Sequence, residues 1–249
     1  MASKVMTAPL WGRASKPPQE SVATLREIMR QRGIHHIPMV DDGRFAGVVD
    51  ATSAFGWVSR DAVASDLVGR VEVQAHPDEQ LFDVFGRCAW SPRDVCVVTL
   101  EESGSVVGIV TERDIVRLAA THIDSARPVD QFASTAVFTS PATATVGECL
   151  DVLREQMFRH LVIVEDDKLR GTVSLRDLLL VDARLLVGQT LPDPPPRASW
   201  NATLREIAST MQRLDLDAIA LVDDDGVPDG IVTVTDLLRA LRSTPKIVA

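Results

Sequence analysis

Apolar positions along this chain follow two patterns in alternation, and the alternation recurs four times. Short β-rich runs such as Ile37-Pro38-Met39-Val40, Leu161-Val162-Ile163-Val164 and Ile219-Ala220-Leu221-Val222 end in the acidic pairs Asp41-Asp42, Glu165-Asp166 and Asp223-Asp224. After each comes a glycine-led run: Gly47-Val48-Val49-Asp50, Gly171-Thr172-Val173-Ser174 and Gly230-Ile231-Val232-Thr233. Repeat two has Val95 to Thr99 before Glu101-Glu102, then Gly108-Ile109-Val110-Thr111. Two such runs around a polar turn predict strand, turn, strand. Upstream the spacing changes to helical, with Leu81, Val84, Phe85, Cys88 and Leu204, Ile207, Ala208, Met211 on one face, and Val146, Leu150, Leu153, Met157 on a related template. A second helix is predicted downstream from Ile115, Val116, Leu118, Ala119, from Leu178-Leu179-Leu180 and from Leu237, Leu238, Ala240, Leu241. A short extra strand is predicted where Val71-Glu72-Val73 and Ala136-Val137-Phe138 alternate.

The four glycines stand 61, 63 and 59 residues apart, so the unit is a repeat of helix, strand, strand, helix. Such a unit buries little surface by itself, which predicts pairing of neighbours, the first with the second and the third with the fourth. The segment Asp124 to Val129 separates the pairs, and Leu191 to Pro196 reads as a stiff connector inside the second. The expected α/β modules are 1–124, with repeats at about 15–60 and 66–122, and 125–249, with repeats at about 130–184 and 190–245.

Composition narrows the function. The 249 residues are 45% hydrophobic and 24% charged, inside the soluble globular class. A net charge of -9, shared between the halves as -4 and -5, argues against nucleic acid or a membrane surface as partner. The opening MASKVMTAPL lacks the apolar stretch of a signal peptide, so a cytoplasmic protein is expected. Cys88, Cys96 and Cys149 cannot all pair and show no CxxC spacing, which fits a reducing compartment, with Cys88 expected in the core. His35 and His36 are adjacent, and His76, His122 and His160 lack ligand spacing, so no metal is expected. Asp223-Asp224-Asp225-Gly226 lacks the alternation of a calcium loop and reads as a hairpin turn. There is no GxSxG, P-loop or GxGxxG motif and no tyrosine, and four repeats leave no length for a catalytic domain; no enzyme is expected.

The candidate chemistry lies where the glycine strand gives way to the next helix. Thr111, Ser174 and Thr233 place hydroxyls beside the N–H groups of a helix start, where an anion is favoured. Three residues on, Asp114, Asp177 and Asp236 offer carboxylates able to accept both vicinal hydroxyls of a ribose, at about 1.5–3 kcal/mol per charge-assisted bond. The same spacing is that of a capping box, in which hydroxyl and acid serve only the helix. In repeat one the residues are Asp50 and Ser53: the cap survives and the ribose carboxylate does not. Arg113 and Arg176, beside the motif acids, are expected to face solvent or meet neighbouring acids. The pair Arg159-His160 lies just before a strand; its counterparts are His35-His36, Arg93-Asp94 and Asp217-Ala218.

The stretches Arg159 to Asp166 and Gly171 to Leu179 resemble the CBS-domain family, in which two repeats form one Bateman module, and the resemblance runs from about Gln19 to Arg242. Four repeats on one chain are similar to the nucleotide-sensing gamma subunit of the AMP-activated kinase. The resemblance implies a regulatory protein that binds an adenosine nucleotide (AMP, ADP or ATP) and modulates a protein partner. Arg159 and His160 would then reach phosphate, with apolar strand residues around the base. It leaves open S-adenosylmethionine or another adenosyl ligand, a ligand-free interaction scaffold, and an enzyme subunit of the IMP dehydrogenase type, which the length disfavours. A homodimer through module packing is compatible with it.

Overall fold

The computed structural model describes residues 17–56, 58–59, 61–69, 73–88 and 97–243. The amino-terminal ten residues, Val71-Glu72, Arg93-Asp94 and Cys96 lie outside the described residues, as does the side chain of Cys88. The chain forms two compact units that meet in sequence at Glu112 and Arg113. The first holds α1 (Val22–Arg32), β1 (His36–Asp41), β2 (Arg44–Asp50), α2 (Ala51–Ala54), β3 (Val73–Ala75), α3 (Leu81–Cys88), β4 (Val97–Leu100) and β5 (Val106–Val110). The second opens with α4 (Glu112–His122) and continues through β6 (Thr139–Pro141), α5 (Val146–Glu155), β7 (His160–Glu165), β8 (Lys168–Ser174) and α6 (Leu175–Leu179). It closes with β9 (Ala198–Ser199), α7 (Leu204–Leu214), β10 (Ala218–Val222), β11 (Pro228–Thr233) and α8 (Val234–Ser243).

Helix ends follow local side-chain chemistry. Ser21 caps α1 by accepting from the Thr24 amide, and Gly33 stops it at φ 57. Thr145 with Glu148 and Thr203 with Glu206 form capping boxes on α5 and α7. The face Leu204, Ile207, Ala208, Met211 is buried as its spacing predicts. On α5 the buried set is Val146, Cys149, Leu150 and Leu153. Met157, expected to join that face, is instead 89% exposed at φ 56, because the helix ends at Glu155 and the chain turns there into β7.

Among the described residues, repeat one has a two-stranded antiparallel hairpin, and each later repeat adds a parallel strand ahead of the hairpin, in the orders β3-β4-β5, β6-β7-β8 and β9-β10-β11. The added strand of repeat three is Thr139–Pro141, just beyond the predicted Ala136-Val137-Phe138. All four hairpins carry a register shift that skips the residue just before the repeat glycine, and the glycine pairs with Met39, Thr99, Ile163 or Leu221. A close approach explains the residue type. A Cβ on Gly171 would lie 2.8 Å from Leu191 Cδ2, and one on Gly230 would lie 2.5 Å from Trp200 Cζ2. The connector that follows or precedes the hairpin seats an apolar side chain on the glycine.

In the second unit, Leu161, Ile163 and Val173 turn one face of the β7–β8 hairpin into the core beneath α5 and α6. The opposite face carries Val162, which clusters with Ala218, Ala220 and Ile231 of the β10–β11 hairpin. The Leu169 amide donates to Gly226 O at 3.0 Å, linking the hairpins of repeats three and four. The first unit repeats this link from the Phe45 amide to Gly104 O, also at 3.0 Å. Arg127 and Arg239 both lie over the ring of Phe132, and Arg239 donates to its carbonyl, tying the segment ahead of β6 to α8. No helix among the described residues is long and apolar enough to cross a membrane.

Candidate functional site

The hydroxyl and the acid of the glycine motif bond to each other. Ser174 Oγ donates to Asp177 Oδ2 at 2.7 Å and accepts from the Asp177 amide at 3.2 Å. Thr233 reaches Asp236 Oδ2 through both its amide and its Oγ1, each at 2.9 Å. Repeat one inverts the pair: Asp50 caps α2 by accepting from the Ser53 amide at 2.9 Å and from Ser53 Oγ at 2.8 Å. The capping geometry is therefore present in repeats one, three and four, whichever of the two positions carries the acid.

Surroundings separate the carboxylates. Asp177 is exposed, at the rim of α6, while its hydroxyl partner Ser174 is buried. Asp236 is itself buried, with Arg239 Nη2 3.4 Å from its second oxygen. Asp114, in the first turn of α4, accepts from Arg117 Nη2, and Thr111 stands half-buried at the end of β5. α6 is one turn long, so the helix dipole expected behind Asp177 reduces to the few N–H groups of that turn.

The basic pair and the motif of repeat three come together. Arg159 O accepts from the Leu175 amide at 2.8 Å, the first helical residue after Ser174, and His160 pairs with Ser174 across the hairpin. Asp217 O holds the Val234 amide at 3.0 Å in repeat four, and His35 O holds the Ala51 amide at 2.8 Å in repeat one. From this position Arg159 Nη2 reaches Thr235 Oγ1, at the start of α8. His160 Nε2 lies 3.3 Å from Asp217 Oδ1 of repeat four, without hydrogen-bond geometry. One edge of the second unit thus gathers Arg159, His160, Ser174 and Asp177 from repeat three with Asp217 and Thr235 from repeat four. Phosphate, ribose and a basic group have partners of the right chemistry there.

The sequence pattern of the CBS domain matches residues 2–60, 64–121, 129–184 and 199–243. The chain belongs to the CBS domain family. Its hairpins and flanking helices are therefore four CBS repeats. It is similar to an uncharacterized 33.4 kDa Thermofilum pendens protein, 26% identical over 90% of this chain and 86% of that one. An uncharacterized 17.7 kDa protein of Acidianus ambivalens is 40% identical over 33% of this chain and 50% of its own length, so the match spans half of that relative. Among solved structures, protein MJ1225 of Methanocaldococcus jannaschii superposes with a TM-score of 0.74 at 14% identity, over 90% of this chain and 94% of that one. At that identity the likeness is one of fold.

Some participants were not legible in the CBS repeat pattern. Thr235, at a variable place of the motif, enters only because repeat four folds against repeat three, and Asp217, legible as the repeat-four counterpart of Arg159, meets His160 for the same reason. Arg176, expected to face solvent or meet neighbouring acids, is only 8% exposed, because α6 packs on α5 and β8 rather than lying free on the surface. Arg113 does meet an acid as expected, Asp215 at 2.8 Å. The acidic run forms the β10–β11 turn, with Asp223 Oδ1 accepting from the Asp225 and Val227 amides.

Proposed function

We propose that this chain is a regulatory protein that binds an adenosine nucleotide, AMP, ADP or ATP, where CBS repeats three and four meet, and passes its occupancy to a protein partner. The observation that carries the reading is the convergence of Arg159, His160, Ser174 and an exposed Asp177 on one edge, facing Thr235 and Asp217 of the next repeat. Asp177 would take the ribose hydroxyls, and Arg159 with His160 the phosphate. Thr111 with Asp114, and Thr233 with Asp236, are the equivalent positions of the other repeats, less open in the case of Asp236. Supporting the reading, MJ1225 is a proposed archaeal homologue of g-AMPK. The reading treats 1–124 and 125–249 as the two modules, places the protein in the cytoplasm, and assigns it neither metal nor catalysis.

A ligand-free scaffold is the second reading, favoured by the Ser174–Asp177 and Thr233–Asp236 bonds, which already serve as caps. Thermal melting with titration calorimetry separates the two. A nucleotide binding only the folded state at a hundred times its dissociation constant adds about 2.7 kcal/mol, so AMP, ADP or ATP should raise the melting temperature more than guanosine, cytidine or uridine nucleotides do. S-Adenosylmethionine is run alongside, and its sole binding would change the ligand. No response to any adenosyl compound at millimolar concentration would leave the scaffold.

A further inference from the structure

The residue after the repeat glycine is Val48, Ile109 or Ile231 in three repeats and Thr172 in the third. Thr172 pairs across the hairpin with Val162, so the two side chains share a face. That face meets repeat four, since Val162 packs with Ala218, Ala220 and Ile231. Thr172 Oγ1 is shut off from solvent there and has no hydrogen-bond partner among the described residues. A hydroxyl so placed carries a desolvation cost that the valine or isoleucine of the sister repeats avoids. His160, paired with Ser174, occupies the same face, and its Nε2 also lacks a hydrogen bond, with Asp217 Oδ1 beside it out of line.

Thr172 stands two residues before Ser174 on one strand, about 7 Å along it. That is the reach from a ribose to the far edge of the base it carries. We infer that Thr172 is a specificity-determining residue, its hydroxyl hydrogen-bonding the base of a nucleoside whose ribose is held at Asp177; this rests on the nucleotide reading of the same edge. The hydroxyl both donates and accepts, so it suits an exocyclic amine or a ring nitrogen alike.

Titration calorimetry with AMP and with adenosine, on wild type, Thr172→Val and Thr172→Ser, tests the inference, with melting of each protein alone. Thr172→Val should bind both ligands about tenfold more weakly while melting higher without ligand, since a methyl replaces an unpartnered buried hydroxyl. Thr172→Ser keeps the hydroxyl and should stay within about threefold of wild type. Thr172→Val binding as tightly as wild type, or melting lower without ligand, overturns the inference and leaves the site intact. Wild type that binds neither AMP nor adenosine overturns the nucleotide reading, and this inference with it.

Discussion

Arg159 Nη2 donates to Thr235 Oγ1 at 2.8 Å, joining the edge of β7 in repeat three to the first turn of α8 in repeat four. A bond from a guanidinium to a neutral hydroxyl is weaker than one to a phosphate oxygen, so an arriving phosphate would displace it. Arg159→Ala should lower the affinity for AMP by about tenfold while leaving adenosine unchanged. Calorimetry with the two ligands checks this. An unchanged ratio of AMP to adenosine would confine Arg159 to holding the repeats together.

Asp177 and Asp236 form the same bonds to their hydroxyls, yet one is exposed and the other buried. Asp177→Ala should weaken nucleotide binding by about tenfold or more, and Ser53→Ala should leave it nearly unchanged. Both lose a first-turn interaction, so each also loses some helix stability, about 0.5–2 kcal/mol at most. Asp236→Ala should act chiefly on melting temperature, because its carboxylate is committed to Thr233 and lies beside Arg239. If Asp177→Ala melts earlier but binds as wild type, the motif of repeat three is a cap alone.

Glycine to alanine in a strand ordinarily stabilises by reducing the freedom of the unfolded chain. Gly230→Ala should do the reverse, by about 1–3 kcal/mol, since the new methyl meets the Trp200 ring. Trp200 is held in place by its own bond from Nε1 to Asp229 Oδ1 at 2.6 Å, so it cannot yield freely. Denaturant unfolding of Gly230→Ala, Trp200→Ala and the double variant forms the check. The glycine substitution should cost much less once the ring is gone, and additive costs would exclude the contact as its cause.

Acid should weaken the second unit in a defined way. The amide of Thr145, followed by its hydroxyl, holds Glu148 below its ordinary 4.5, and Thr203 does the same for Glu206. Hydrogen bonds from Arg184 bring Asp182 down to about 2. Because these groups bind protons more readily unfolded than folded, their stabilisation is complete above 4.5 and is lost as pH falls below it through the lowered folded values. The pair Glu148→Gln and Glu206→Gln, which keeps the caps without the charges, should flatten the acid limb of melting temperature against pH. A limb as steep as wild type would place the acid sensitivity in other groups.

The four repeats, their helix, strand, strand, helix order and the buried face of α7 were readable because each depends on neighbours within about ten residues: a period, a cap, a turn. The motif of Ser174 and Asp177 and its bland reading as a cap were readable for the same reason, and both geometries involve residues three apart. Met157 marks where that reading fails, since the apolar template continued past Glu155 while the backbone turned.

What the sequence by itself determined is thus local: which segments are strands or helices, and which hydroxyl lies beside which acid. Tertiary structure decided the rest. Gly171 and Gly230 were visible as markers of the repeat, but their reason is the side chain of Leu191 or Trp200 brought onto them from a connector. Thr235, Asp217 and the inward hydroxyl of Thr172 acquire roles only when the hairpins of repeats three and four close face to face. Residues as far apart as Arg159 and Thr235 meet through burial of a shared apolar face, and burial is a property of the packed pair that no spacing within a single repeat encodes.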